Sequence, residues 1–170
     1  MTLASRINDA VQLTGRFRLR SGAMSDTYFD KYALEADPQL LAEVTSGLLA
    51  LLPETFDALA GLELGGVPIA TMLSNQTGRP ARFVRKAAKP YGTQRLAEGG
   101  PVDGLRLVVV EDVITSGGQI LRSTRQLRQR GAVVETAICV IDRESGGREA
   151  LAAEAIELRA LFTAQELTRA

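Results

Sequence analysis

Residues 108–118 read VVVEDVITSGG. Three β-branched residues in a row suit a buried strand, because a branched Cβ packs well on a pleated surface. Ionised carboxylates are costly to bury. Glu111 and Asp112 are therefore expected to emerge at the strand's end, where water or a ligand meets them. Thr115-Ser116-Gly117-Gly118 reads as a turn, and a helical pattern follows over 118–130. Strand, acidic pair, small-residue turn and helix make one βα unit, and open parallel sheets bind ligands at the carboxyl ends of such strands.

The rest of the chain keeps that alternation. Helical patterns cover 3–13, 38–52 (with Asp37 as cap and Pro38 in the first turn), 67–78 (closed by Gly78), 118–130 and a short stretch near 148–153. Strand patterns cover two pieces of 15–32 around Ser21-Gly22, then 56–63, 81–86, 106–111, 133–141 and 156–162. Strands alternating with helices predict an α/β fold with a parallel sheet and right-handed crossovers. Residues 87–104, AAKPYGTQRLAEGGPVDG, are rich in Gly, Pro and charge and lack apolar periodicity. They are expected to form a long, mobile surface loop, a kind of segment that is often functional.

Composition narrows the chemistry. At 170 residues the chain suits a single domain, 1–170, with a core of its own. Its 20 basic side chains balance 20 acidic ones, so no overall charge argues for nucleic acid. It contains no histidine, which excludes a histidine base, a Ser-His triad and histidine-ligated metals. The one cysteine, Cys139, lies in the apolar run AICVI and reads as a buried thiol in a reducing, cytoplasmic protein. No apolar segment is long enough to span a membrane, and no signal peptide is visible.

The turn after Val110 has its own chemical logic. Backbone N–H groups at a helix N-terminus cradle a phosphate, and Thr115 and Ser116 add hydroxyl donors. The carboxylates of Glu111 and Asp112 only accept, which suits the vicinal hydroxyls of a sugar. Phosphate and diol together describe a ribose 5-phosphate.

EDVITSGG resembles the phosphoribosyl-pyrophosphate (PRPP) motif of type I phosphoribosyltransferases. VRKAAKPYGTQRLAEG, 84–99, is similar to the mobile catalytic loop of the orotate phosphoribosyltransferase family. LRSGAMSDTYFDKY, 19–32, resembles that family's N-terminal substrate segment, GGVPIA, 65–70, its pyrophosphate-side turn, and IDRESGG, 141–147, its orotate-recognition segment. The resemblance implies a type I phosphoribosyltransferase fold: a central, mostly parallel sheet flanked by helices, with a small hood from about 1–37. It implies conversion of orotate and PRPP to orotidine 5′-monophosphate and pyrophosphate, in de novo pyrimidine synthesis, with Mg²⁺ carried mainly by PRPP. No dedicated protein cage for the metal is expected. It also implies a homodimer with shared active sites, Arg85 and Lys89 reaching across and Lys86 serving its own site.

Residue by residue, Arg85, Lys86, Lys89, Glu111, Asp112, Val113, Ile114, Thr115, Ser116, Gly117, Gly118 and Gln119 are expected to hold PRPP. Lys86, Asp112, Arg85 and Lys89 are expected to act in catalysis. Loop cations suit the chemistry, because charge accumulates on the departing pyrophosphate. Glu111 and Asp112 would hold the ribose hydroxyls and, through water, the metal. Arg143 is the expected reader of orotate's carboxylate, which a guanidinium grips bidentately, and Thr115 is placed beside the base. Tyr28 and Phe29 read first as core, with contact to the pyrimidine ring as the second reading. Lys31 or Arg20 is a candidate for carboxylate or pyrophosphate.

Two features depart from part of the family: Tyr91 stands where some bacterial members have histidine, and Leu64-Gly65-Gly66 lacks a lysine that some members carry. Two rivals stay open. A transferase for another base, such as a purine, would lack a partner for orotate's carboxylate. A non-catalytic regulator that binds PRPP or nucleotide and contacts nucleic acid would show a basic face or lack the loop cations.

Overall fold

The computed structural model describes residues 1–18, 22–89, 92 and 95–169. Helix α1 (Leu3–Val11) starts on Thr2, whose hydroxyl accepts the Ser5 amide. Strands β1 (Gln12–Arg18) and β2 (Met24–Phe29) pair antiparallel into a ribbon, and α2 (Tyr32–Ala36) follows. Helix α3 (Pro38–Leu48) is capped by Asp37, which accepts the amides of Gln39 and Leu40 at 2.9 Å each. Then come β3 (Ala58–Leu62), α4 (Gly66–Thr77), β4 (Ala81–Val84), β5 (Ala97–Glu98), β6 (Arg106–Ile114), α5 (Gly118–Arg128), β7 (Val133–Asp142), α6 (Gly147–Ala152), β8 (Glu157–Thr163) and α7 (Ala164–Arg169).

The second sheet has six strands in the order β5-β4-β3-β6-β7-β8, all parallel except β5, which runs antiparallel to β4. This is the expected α/β architecture. After β3 the chain first adds β4 on one side, then returns to place β6 on the other. The strand order therefore reverses between β3 and β6, and their carboxyl ends open the crevice where such sheets bind ligands.

Alternation along β6 feeds two cores. Leu107 and Val109 pack with Ile120, Leu127 and Leu151 on one face. Val108 and Val110 pack with Ile7, Val11, Leu40, Val44, Ile69 and Leu73 on the other. The hood helices α1 and α2 share that second core through Ile7, Val11 and Leu34.

Four features differ from expectation. Strand β6 continues to Ile114, because its pairing with β7 runs on to Ile114 opposite Asp142. The segment 87–104 is not all surface loop: Leu96, Ala97 and Val102 are buried, and β5 pairs with the otherwise open edge of β4. Helices α2 and α7 are five and six residues long, too short to show a helical period. Tyr28 is 45% exposed and packs on the Phe17 ring at 5.4 Å, so it is not a core residue. Cys139 is buried on β7, and burial pushes its thiol up. Among the described residues no helix is long and apolar enough to cross a membrane.

Strand β3 and helix α4 meet through glycine. A Cβ on Gly61 would lie 2.5 Å from the Gly66 carbonyl oxygen and 2.8 Å from the Ala70 Cβ. Neither can move without separating helix from sheet. Gly61→Ala should cost about 1–3 kcal/mol as overpacking and lower the thermal midpoint by roughly 3–10 °C. A midpoint unchanged in a calorimetric scan would contradict this packing.

Candidate active site

The crevice opens on the turn after β6. Glu111 and residues 113–120 line a cavity of about 300 Å³. Gly117 takes φ +74 and caps α5, whose first amides have no helical acceptor. A Cβ there would sit 3.2 Å from the Gly147 carbonyl oxygen, so the position needs glycine for both conformation and space. Thr115 and Ser116 are exposed on the cradle. The Gln119 amide is engaged with Ser123 at 3.2 Å and Arg122 at 2.9 Å.

The acidic pair is not at an exposed strand end. Glu111 is 7% exposed and Asp112 2%. Consecutive strand positions face opposite ways. Glu111 lines the cavity, while Asp112 meets the hood, where its Oδ2 lies 2.7 Å from the Lys31 ammonium. Asp112 Oδ1 accepts the Val113 amide at 2.6 Å, and Glu111 Oε1 accepts the Asp112 amide at 3.2 Å. Glu35 on α2 completes the group. Glu35 Oε1 is buried without a hydrogen bond, and Asp112 Oδ2 is buried against the Lys31 ammonium. They converge on Gly65, where a Cβ would lie 1.8 Å from the Asp112 oxygen and 2.9 Å from the Glu35 oxygen.

Burial makes protons the economical way to neutralise this group. Burial, aided by the Asp112 charge, pushes the Glu35 carboxyl up to about 8 and the Glu111 carboxyl up to about 9. A proton on Glu35 lets its carboxyl donate to Asp112. Burial opposes charge on Lys31, but contact with Asp112 outweighs it and the ammonium is held above its ordinary range.

The other strand ends add cations. The Arg85 amide donates to Leu96 at 2.9 Å, and the Lys86 amide to Glu63 Oε1 at 2.5 Å, tying the end of β4 to the turn after β3. That turn contains a cis peptide between Glu63 and Leu64. Lys89 is paired with Glu98 of β5 at 2.6 Å. The Arg143 amide donates to Ile114 at 2.8 Å, and its guanidinium lies over the Phe29 ring at 4.8 Å. Asp142, 2% exposed, accepts the Glu144 amide at 2.9 Å and pairs with Arg148 at 3.2 Å, which fixes the start of the loop carrying Arg143. Arg20 and Tyr91 lie outside the described residues.

Sequence reasoning missed Glu35 entirely and named Lys31 only as one candidate of two. The available signal was their four-residue spacing, which sets Lys31 at the cap of α2 one turn before Glu35. Among the described residues no group of three or more acidic, histidine or cysteine side chains is arranged to hold a metal ion.

A carboxyl with a raised native pKa binds a proton that the unfolded chain has released. Its contribution to stability is complete below the unfolded value near 4.5 and is lost as pH rises through about 8 for Glu35 and about 9 for Glu111. The thermal midpoint should therefore fall between pH 6 and 9, and Glu35→Gln should flatten that fall. Parallel midpoint curves for the two proteins would rule out the proton on Glu35.

Comparison with known proteins agrees with this geometry. Residues 32–158 match the phosphoribosyl transferase domain family. The chain is 53% identical over 169 residues to an orotate phosphoribosyltransferase of a Nocardioides species, covering 99% of this chain and 94% of that one. It superposes on the crystal structure of Mycobacterium tuberculosis orotate phosphoribosyltransferase with a TM-score of 0.87 at 33% identity, covering 97% and 96% of the two chains. The PRPP complex of the same enzyme gives a TM-score of 0.83 at 28% identity, covering 98% and 96%. A chain that shares 53% of its residues with one such enzyme over nearly its whole length, and the fold of another, belongs to the orotate phosphoribosyltransferase family.

Proposed function

We propose that this chain transfers the phosphoribosyl group of PRPP to orotate, giving orotidine 5′-monophosphate and pyrophosphate in pyrimidine synthesis. The observation that carries the choice of base is Arg143. Its guanidinium lies on Phe29, and its amide is bonded to Ile114, one residue before the phosphate cradle. A planar cation at that point matches the carboxylate that distinguishes orotate from uracil. A purine offers it no such group. The cations Arg85, Lys86 and Lys89 argue against a non-catalytic regulator.

The turn 115–118 takes the 5′-phosphate on free amides and two hydroxyls. Glu111, on the cavity wall, and Asp112, beneath it, accept the ribose hydroxyls, and Thr115 sits beside the base. The C1–O bond of PRPP breaks with its electron pair going to the pyrophosphate oxygen, and orotate N1 supplies the pair for the new C1–N bond. N1 attacks as an anion, so no strong base is required, consistent with a chain that lacks histidine. Arg85, Lys86 and Lys89 stabilise the charge that collects on pyrophosphate. Lys89 must leave Glu98 to do so. Mg²⁺, held mainly by the oxygens of PRPP, would neutralise the same leaving group. A site closed over the donor would exclude water that hydrolyses the activated sugar. The active form is a homodimer in the cytoplasm, with Arg85 and Lys89 reaching the partner's site and Lys86 its own.

The test mixes protein, Mg²⁺, PRPP and either orotate or hypoxanthine. Loss of orotate absorbance with no reaction of hypoxanthine is expected; the reverse preference would refute the assignment. Arg143→Ala removes a charge-assisted bond worth about 1.5–3 kcal/mol, so the KM for orotate should rise roughly tenfold to hundredfold with little change for PRPP. Equal losses for both substrates would mean that Arg143 does not read the base.

A further inference from the structure

Lysine is scarce in this chain. Of 20 basic side chains only three are lysine, at 31, 86 and 89. Two stand on the basic segment after β4. The third stands on the hood, just before α2, yet it reaches the central strand.

The turn between β3 and α4 flanks the crevice opposite the phosphate cradle. At Gly65 and Gly66 it has no room for a side chain. A Cβ on Gly65 would lie 1.8 Å from Asp112 Oδ2, and one on Gly66 would lie 2.1 Å from the Val110 carbonyl oxygen. An anion brought to this turn finds backbone amides and, beside them, the Asp112 carboxylate, which would repel it. Lys31 offsets that charge. Its ammonium is 2.7 Å from the same Asp112 oxygen that crowds Gly65, and its side chain remains 35% exposed. An ammonium has three N–H donors, and the contact with Asp112 engages only part of them. A compact point charge on a flexible stem suits a phosphate that must arrive and leave.

We propose that Lys31 is the cation on which the pyrophosphate of the donor rests at the turn 63–66, so that the hood completes the donor site. Asp112 then touches the ribose on one side and holds the pyrophosphate's lysine on the other. The two halves of PRPP are bound at opposite ends of one ion pair. This assignment rests on the phosphoribosyl transfer proposed above.

The test separates the two halves of the donor. Wild type, Lys31→Met and Lys31→Arg are titrated calorimetrically with Mg²⁺-pyrophosphate and with ribose 5-phosphate. Lys31→Met should bind pyrophosphate at least about tenfold more weakly, as loss of a charge-assisted bond implies, while ribose 5-phosphate changes less than about threefold. Lys31→Arg should recover most of the pyrophosphate affinity. The KM for PRPP should rise in Lys31→Met, with that for orotate unchanged. A second measurement needs no variant at position 31. In wild type carrying ¹³C-lysine, the Lys31 side-chain resonance should move on adding pyrophosphate and stay in place on adding ribose 5-phosphate. Equal losses for both ligands in Lys31→Met, or a Lys31 resonance indifferent to pyrophosphate, overturn the assignment. Wild type that binds neither ligand overturns phosphoribosyl transfer itself, and this assignment with it.

Discussion

Three carboxylates meet one lysine at the carboxyl end of β6, and the cost of burying that charge governs the structure around it. Were Glu35, Glu111 and Asp112 all ionised, Lys31 would leave a net negative charge in a region where Asp112 is 2% exposed. Burial instead keeps protons on Glu35 and Glu111 and lets Asp112 pair with Lys31. The consequence reaches beyond the site. Lys31 and Glu35 belong to the hood, and Asp112 belongs to the central strand. The hood is thus fastened to the sheet at the crevice itself as well as through the apolar core of Ile7, Val11 and Leu34.

The sheet order explains why this happens where it does. Strands β3 and β6 are neighbours that lead into turns on opposite sides of the reversal. One turn ends in Gly65-Gly66, packed against Asp112 and Val110. The other ends in Gly117-Gly118 at the start of α5. Glycine lets both backbones approach closely, which leaves amide-lined surfaces facing a common space. Strands β4 and β7 deliver Arg85 and Arg143 to the same edge. The scaffold supplies amides and the strand ends supply charge, a division suited to a substrate with phosphate at both ends.

Much of this was legible in the sequence. The valine run, the T-S-G-G turn and the following period gave β6, the cradle and α5, because each depends on local chemistry. Asp37-Pro38 and Gly78 marked helix ends for equally local reasons. The end of β6 was misjudged because two adjacent acids signal exposure. Only a lysine and a glutamate, 81 and 77 positions earlier in the chain, make their burial tolerable. Glu35 was invisible because its helix spans five residues. Strand β5 was hidden inside a Gly- and Pro-rich stretch, since two residues pair there only because β4 offers an open edge. Arg143 was readable as a cation at a strand end, but its seat on Phe29 and the Asp142–Arg148 brace behind it depend on tertiary packing.

The protonation of the buried cluster is the claim on which the rest turns, and carbon-13 NMR of the side-chain carboxyls of glutamate tests it directly. Glu35 and Glu111 should remain protonated at pH 7, with carboxyl shifts that titrate near 8 and 9. Carboxyls at both positions that titrate near the ordinary value of 4.5 would contradict the account.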